Sequence, residues 1–210
     1  MKFPIQQISS DINVADQGNE FWNSADDLPI ERYWSGGEAP ASRHCYVRGL
    51  WSDAGLYVRF AANRGEPLVV NEWPDVSQKN IGLWDRDVCE LFVAPRADAP
   101  QQYLEFEVAP TGEWLDVAID LTSGTRVNDW EFESGMRAAA KIELDRVFMS
   151  MMVPWTAFGN KPAAGDVWRG NLFRCVGQGE NRGYLAWQRT MTPIPNFHVP
   201  EAFGEFHFIA

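Results

Sequence analysis

The stretch "LWDRDVCELFVAPRADAPQQYLEFEVAP" (residues 83–110) contains two apolar–polar alternations joined by a short segment rich in Ala and Pro. Side chains two positions apart on a β-strand lie on the same face of the sheet. One face therefore carries an apolar set, which comprises Cys89, Leu91, Val93, Leu104, Phe106 and Val108. The opposite face carries three carboxylates and two aromatic rings, namely Glu90, Glu105, Glu107, Phe92 and Tyr103. We expect two strands with the apolar set in the core, and an acidic face that is either solvated or one wall of a polar binding site.

Similar runs continue along the chain, separated by Gly, Pro, Asn and Asp at a spacing of about ten residues, which is typical of an all-β sandwich or barrel. The predicted strands are 44–51, 55–63, 87–95, 102–110, 113–120, 136–144, 146–154, 170–177, 183–188 and 204–210. A single helical turn is predicted over 154–159, with a Pro at its start and a Gly at its end. No composition shift marks a linker. We predict an all-β fold, an antiparallel β-sandwich of jelly-roll or immunoglobulin-like type, as a single domain over residues 1–210.

The charge balance argues against two classes of partner. The chain has 18 Lys and Arg against 29 Asp and Glu, for a formal net charge of −11. Nucleic acids and anionic membrane surfaces require basic patches, so neither is expected as a partner. No signal peptide and no transmembrane segment is apparent, which leaves the localisation open. Cys45, Cys89 and Cys175 are far apart and predicted to be buried free thiols, and we expect neither a metal nor a cofactor.

Several motifs together resemble family 9 carbohydrate-binding modules. They are "YVRGLWSDAGLYVRFAANRGEP", "WDRDVCELFVAP", "YLEFEVAPTGEWLD" and "PNFHVPEAFGEFHF", in that order, and the resemblance covers roughly residues 12–210. It implies an antiparallel β-sandwich without catalytic activity. It also implies that the ligand is an oligosaccharide or the end of a plant polysaccharide chain such as xylan. A separate glycoside hydrolase would be a partner in polysaccharide breakdown, and the source would be bacterial.

The resemblance also implies particular site residues. Trp84 matches the first of two aromatic residues that hold a sugar ring, and Glu90 matches a strand carboxylate that bonds sugar hydroxyls. Phe197 falls at the second aromatic position, where the binding modules have Trp. The next strand departs from the family pattern F-R-V-N, because this chain has Phe-Glu-Val-Ala at 106–109. The family's acidic calcium loop is replaced by "RADAPQQ" (96–102), so calcium is not carried over.

Three further residues complete the predicted site. Glu107, on the acidic face with Glu90, is expected to lie below the sugar ring. Clustered carboxylates raise one another's pKa unless a cation is near, and Arg174 is the predicted cation, with Arg86 and Arg96 as alternatives. His198 follows Phe197 in the proline-rich segment "TPIPNFHVP" (192–200) and is predicted to reach the ligand.

The other tryptophans divide into two sets. Trp22, Trp34, Trp51, Trp130, Trp155 and Trp168 are assigned to packing. Trp73, Trp114 and Trp187 could extend a stacking platform.

Three alternatives remain open at this point. A scaffold or partner-binding domain that has lost the sugar site would bury Trp84 and Phe197 under the protein's own loops. A glycoside hydrolase could use two carboxylates among Glu90, Glu105 and Glu107, because alternate strand residues have suitable spacing. A haem protein would need ligands from Met149, Met151, Met152 and His198.

Overall fold

The computed structural model describes residues 1–210, and its regular structure is almost entirely β. Thirteen strands are formed: β1 (Lys2–Gln7), β2 (Leu28–Ile30), β3 (Cys45–Trp51), β4 (Gly55–Asn63), β5 (Val88–Ala94), β6 (Gln102–Val108), β7 (Trp114–Asp120), β8 (Val127–Asp129), β9 (Arg137–Ile142), β10 (Arg146–Pro154), β11 (Val167–Val176), β12 (Gly183–Ala186) and β13 (Gly204–Ile209). Short 3-10 turns occupy Glu20–Ser24, Ala41–Arg43, Leu83–Asp85, Trp155–Phe158, Gly179–Asn181 and Pro200–Ala202. No helix has the length and apolar character that crossing a bilayer would require.

The strands form one continuous sheet that curls into a sandwich. Its order is β8-β7-β6-β5-β11-β13-β1-β3-β4-β10-β9, with β12 paired to β11 and β2 paired to β3. Strand β1 runs parallel to both of its neighbours, β13 and β3, while the other pairings are antiparallel. Contacts of β6 with β9 and β10 bring the two halves of the sheet face to face. The prediction of a single-domain, predominantly antiparallel β-sandwich is confirmed.

The main core lies between the two halves of the sheet. It contains 30 buried residues, and β4 shows the pattern well, since Val58 and Phe60 face this core while Tyr57 faces the other side. On that other side, the segment before β2 covers the sheet with Trp22, whose ring lies 4.8 Å from the Arg59 guanidinium. The sheet is therefore buried on both faces over this region.

Strands β5 and β6 pair with each other, and their residues lie on the predicted faces. Leu91 pairs with Phe106 on the main-core face, and Glu90 pairs with Glu107 on the opposite face. That opposite face is covered by the connection between β12 and β13 (residues 187–203), which contributes Phe197 and Phe203 to a second hydrophobic cluster.

The first of the two readings of the acidic face, that it is solvated, is therefore wrong. Glu90, Glu105 and Glu107 have exposed fractions of 2%, 5% and 0%.

The remaining sequence predictions agree with the structure except at short strands. The ten predicted strands and the turn near residue 155 are present, but β1, β2 and β8 were not predicted. All three cysteines are buried free thiols, as expected. Gly170 is required by close packing, because a Cβ there would lie 2.4 Å from the Phe92 carbonyl oxygen and 2.5 Å from the Phe206 ring.

Candidate functional site

A pocket opens on the face of β5 and β6 that lies away from the main core. Its cavity volume is about 280 Å³. Strands β5, β6 and β8 supply its floor and one side, and the turn Leu83–Asp85 and the β12–β13 connection supply its rim. The pocket therefore lies where the sequence placed a group of carboxylates and aromatic residues.

Aromatic rings form the walls of the pocket. Trp84 stacks on Trp130 with ring centroids 6.1 Å apart and an interplanar angle of 30°, and Trp84 is 37% exposed. Phe197 lies flat on Phe173, with centroids 4.0 Å apart and an angle of 11°. Tyr184 completes the aromatic lining. Flat rings at a pocket opening offer a surface on which an apolar ligand face can stack.

The position of Trp84 is fixed by its backbone. The turn that carries it begins after Gly82, whose φ of 92° is in the left-handed region that favours glycine. Arg182 then ties the turn to β12: its guanidinium donates to the carbonyl oxygens of Trp84 and Arg86 and to that of Gly177 at 2.7 Å. The same guanidinium lies 5.4 Å from the centroid of the Tyr184 ring. Arg182 is therefore a positioning residue for two aromatic walls.

The floor of the pocket is acidic. Glu90 and Glu105 line it, Glu107 lies beside them, and one oxygen of each can be chosen so that all three lie within 4.8 Å of one another. The Cys175 thiol donates to Glu90 Oε1 at 3.4 Å, whereas the oxygens of Glu107 have no hydrogen-bond partner outside the carboxyl cluster. The oxygens are close enough together to bind one cation between them.

Burial raises the pKa of all three carboxyls, and repulsion by neighbouring carboxylates adds to the shifts of Glu90 and Glu107. Burial, aided by the charge of Glu105, raises the pKa of Glu90 to about 8. Burial raises the pKa of Glu105 to about 7, and that of Glu107 well above its usual 4.5, with the charges of Glu90 and Glu105 adding to the latter shift. At neutral pH this cluster therefore retains protons, and its acid groups can both donate and accept hydrogen bonds.

His198 is held beside the carboxyls as a neutral ring. Its Nδ1 shares a 2.7 Å hydrogen bond with the Tyr103 hydroxyl and lies 4.0 Å from Glu105 Oε2. Burial, together with the positive charge of Arg126, lowers the pKa of His198 to about 3. A neutral imidazole can exchange hydrogen bonds with a ligand without adding charge to the pocket.

The structure brings five of the six predicted site residues together. Trp84, Glu90, Phe197 and His198 line the pocket, and Glu107 lies within the floor without lining it.

The predicted position of Arg174 beside the carboxyls is wrong. Arg174 pairs with Cys89 and therefore points to the opposite face, where it donates to the carbonyl oxygens of Arg43, His44 and Asn63.

Sequence reasoning missed one edge of the pocket. Arg126, Asn128 and Trp130 all line it; Asn128 is in the middle of the short strand β8, and Arg126 and Trp130 directly flank that strand. Their spacing of two residues was the available signal, but it was too short to predict a strand. Trp130 packs against the second hydrophobic cluster, as predicted, and also lines the pocket. Of the proposed platform residues, Trp187 is in the main core and Trp73 is 85% exposed, and neither lines this pocket.

The positions of the suggested haem ligands bear on the haem alternative. Met149 and Met151 lie in the main core, whereas His198 lies on the opposite side of the β5–β6 sheet, so the suggested haem ligands do not converge. The three floor carboxyls are the group whose oxygens could hold a metal ion.

Comparison with known proteins gives a consistent result. The sequence model of carbohydrate-binding family 9 matches residues 70–208. A crystal structure of a proposed carbohydrate-binding protein from Bacteroides uniformis is 16% identical and covers 99% of this chain and 98% of its own, with a TM-score of 0.76. Among curated proteins, no significant match is found.

Two family 9 modules from Caldicellulosiruptor kristjanssonii also have this fold. The structure in complex with cellotriose is 14% identical and covers 100% of this chain and 94% of its own, with a TM-score of 0.71. The structure in complex with glucose is 15% identical and covers 99% of this chain and 95% of its own, with a TM-score of 0.66.

Proposed function

This chain belongs to carbohydrate-binding family 9, and we propose that it binds a saccharide without cleaving it, in the pocket between Trp84 and Phe197. The observation that carries the proposal is the joint presence, in one pocket, of exposed stacked rings and a polar floor. A pyranose ring has an apolar C–H face and a rim of hydroxyl groups. Aromatic walls suit the first, and acid, amide and imidazole groups suit the second.

The floor residues would bond the sugar hydroxyls. Glu90 and Glu105, with their raised pKa values, can each accept or donate a hydrogen bond near neutral pH. Asn128 adds an acceptor, because its Oδ1 is buried and has no partner in the protein. An unmatched buried polar group costs about 1–3 kcal/mol, so hydroxyls that pair with these groups contribute to both affinity and specificity.

The size of the pocket favours the end of a chain. Its cavity volume of about 280 Å³ lies at the lower limit of the ~300–1,000 Å³ that ligand sites span, which suits one or two sugar rings better than a long internal stretch. The related modules hold cellotriose and glucose. We propose plant-type glucans or xylan as the ligand class, with a separate glycoside hydrolase as the enzyme that such binding would serve.

The two remaining alternatives each make a distinct demand. A scaffold that has lost the site would have both aromatic residues covered, but Trp84 is 37% exposed and only Phe197 is buried. A glycoside hydrolase would need a carboxylic acid with a raised pKa, which Glu90 offers, and this makes hydrolysis the second candidate function. Incubation with xylo- and cello-oligosaccharides followed by product analysis distinguishes it, and we expect no new reducing ends.

Tryptophan fluorescence titration tests the binding proposal. The wild-type protein is titrated with cello-, xylo- and manno-oligosaccharides, in parallel with Trp84→Ala and Trp130→Ala. Trp73→Ala is the matched control, because Trp73 is 85% exposed and does not line the pocket. We expect a saturable change with at least one sugar series that is lost in the two pocket variants and kept in the control.

A folded protein that gives no saturable change with any sugar would overturn the proposal. A change that persists in both pocket variants but disappears in Trp73→Ala would move the ligand to another surface.

A further inference from the structure

The carboxyl cluster in the pocket floor has no cation of its own. Arg182 is engaged with backbone carbonyls and lies 4.0 Å from Asp87, and Arg174 is on the other face of the sheet. Arg126 reaches the rim but is exposed to solvent. The charges of Arg182 and Arg126 lower the pKa of Glu90 and Glu105, respectively, but burial outweighs them, and neither arginine forms an ion pair with a floor carboxyl. The floor is therefore a buried acidic site that has no direct cationic partner and holds protons instead.

Glu107 makes this lack of compensation most apparent. It is fully buried, and its oxygens have no hydrogen-bond partner outside the carboxyl cluster, within which Glu107 can share a proton with Glu105. A buried carboxylate without a partner is costly, so such a group either keeps a proton or binds a positive charge. Glu107 lies behind Glu90 and Glu105, and one oxygen of each of the three carboxyls lies within 4.8 Å of the others. A cation bound in the pocket floor would therefore interact with all three groups.

The walls are also suited to a cation. Trp84, Trp130 and Tyr184 present aromatic rings to the same pocket. An ammonium group is attracted to the faces of such rings, and aromatic residues combined with carboxylates form effective ammonium sites.

We propose that this pocket selects saccharides that carry a protonated amino group over their neutral counterparts, with the ammonium bonded to Glu90 and Glu105. This proposal rests on the proposed saccharide binding and specifies its ligand class. An amine in place of one hydroxyl keeps the ring that stacks on Trp84 and adds the positive charge that the floor lacks.

Binding of the amine is coupled to proton release. The ammonium keeps its three protons and donates N–H bonds to the carboxylates, while the protons that the carboxyls held in the free protein pass to the buffer. The pKa values of Glu90 and Glu105, about 8 and about 7, put this exchange near neutral pH. Affinity for the amine therefore falls as the pH is lowered from 7 to 5, because protons then compete for the carboxyls.

Other charged or titratable groups surround the cluster and are part of the same balance. They are Asp85, Asp87, Tyr103, Arg126, Cys175, Arg182, Tyr184 and His198. Cys175 and His198 are neutral near pH 7, since burial raises the pKa of the thiol and lowers that of the imidazole. The positive charge of Arg126 repels a cationic ligand. Removing that charge should therefore strengthen binding of the amine, whereas removing a floor carboxyl should weaken it.

The test compares glucosamine with glucose and with N-acetylglucosamine, in which the nitrogen carries no charge. Calorimetric titrations at pH 6.5 with EDTA, in two buffers of different ionisation enthalpy, give both affinity and proton release. We expect glucosamine to bind at least tenfold more tightly than either neutral sugar and to release protons, which the neutral sugars do not.

Three variants test the assignment to the floor. Glu107→Gln is expected to reduce the ratio of glucosamine to glucose affinity at least fivefold. Arg126→Gln, at an exposed position, is expected to raise that ratio. Glu143→Gln, in the turn between β9 and β10, makes the same Glu-to-Gln substitution outside the pocket and is expected to leave the ratio unchanged. Thermal unfolding confirms that each variant is folded.

The outcomes separate this inference from the proposed function. Glucose binding without a preference for glucosamine, or a preference that Glu107→Gln leaves unchanged, overturns the inference and leaves saccharide binding in place. A fluorescence response of the EDTA-treated protein to calcium or magnesium but not to glucosamine would identify a metal site instead. Failure of every sugar, charged or neutral, would overturn both.

Discussion

Raising the pH from 7 to 8 should destabilise this protein, because the floor carboxyls must lose protons that they hold only in the folded state. In the unfolded chain these groups have their usual pKa near 4.5 and are ionised throughout this interval, whereas Glu90 has a folded-state pKa of about 8 and that of Glu107 is well raised. Stability conferred by a raised carboxyl pKa is full below pH 4.5 and is lost as the pH rises through the folded-state value.

The magnitude follows from the number of protons held. Each proton that the folded state retains and the unfolded state lacks lowers the free energy of unfolding by about 1.4 kcal/mol per pH unit. Glu90, with a pKa of about 8, would by itself lower the free energy of unfolding by about 1 kcal/mol between pH 7 and 8. The raised pKa of Glu107 acts in the same direction, and the two carboxyls titrate as a coupled pair. His198 acts in the opposite direction at lower pH, because its pKa of about 3 costs stability as the pH falls below 6.5. Above pH 7 it is neutral in both states and contributes little.

Urea unfolding at pH 7.0, 7.5 and 8.0, followed by circular dichroism, measures this slope. Glu107→Gln should flatten it and be more stable than the wild type at pH 8, whereas the same substitution outside the pocket, Glu143→Gln, should keep the wild-type slope. A wild-type stability that is constant or rises over this interval would refute the account of the floor. A Glu107→Gln variant with an unchanged slope would show that Glu107 holds no proton there.

Three other changes have defined outcomes. Trp84→Ala should weaken binding of the best neutral oligosaccharide at least tenfold in a fluorescence or calorimetric titration, because aromatic contacts contribute about 0.5–1.5 kcal/mol beyond the burial of their area; an unchanged Kd would remove Trp84 from the site. Arg182→Gln should weaken the same binding several-fold, although Arg182 does not line the pocket, because the hydrogen bonds that hold the Trp84 turn are lost. Arg182→Lys should recover only part of this affinity, because one ammonium group cannot reach all three carbonyl oxygens. Gly170→Ala should lower the free energy of unfolding in urea by about 1–3 kcal/mol, as expected for overpacking against Phe92 and Phe206; wild-type stability would show that the sheet relaxes there.

Local alternation was sufficient to predict the strands and faces near the pocket. The period of two in residues 88–93 and 104–108 placed Glu90, Glu105 and Glu107 together, and the register that pairs Glu90 with Glu107 confirms it. Trp84 and Phe197 were identified through motif resemblance, and the structure places both at one pocket although they are far apart in the chain.

Features that depend on strand pairing could not be predicted in the same way. Arg174 was predicted on the wrong face, because the register between two strands decides which residues share a face, and the sequence does not show that register. In the structure Arg174 lies opposite Cys89 and shares its face. Strand β8 has three residues and lies at the sheet edge, so its pattern was too short to reveal that Trp130 reaches the pocket. The burial of the carboxyls depends on the long β12–β13 connection folding back over them.

A crystal structure of the protein soaked with cellotriose tests the central claim most directly. The account predicts density for a terminal sugar ring packed against Trp84, with hydroxyl groups within hydrogen-bond distance of Glu90 or Glu105. Sugar density at another surface, with the pocket between Trp84 and Phe197 free of it, would contradict the account.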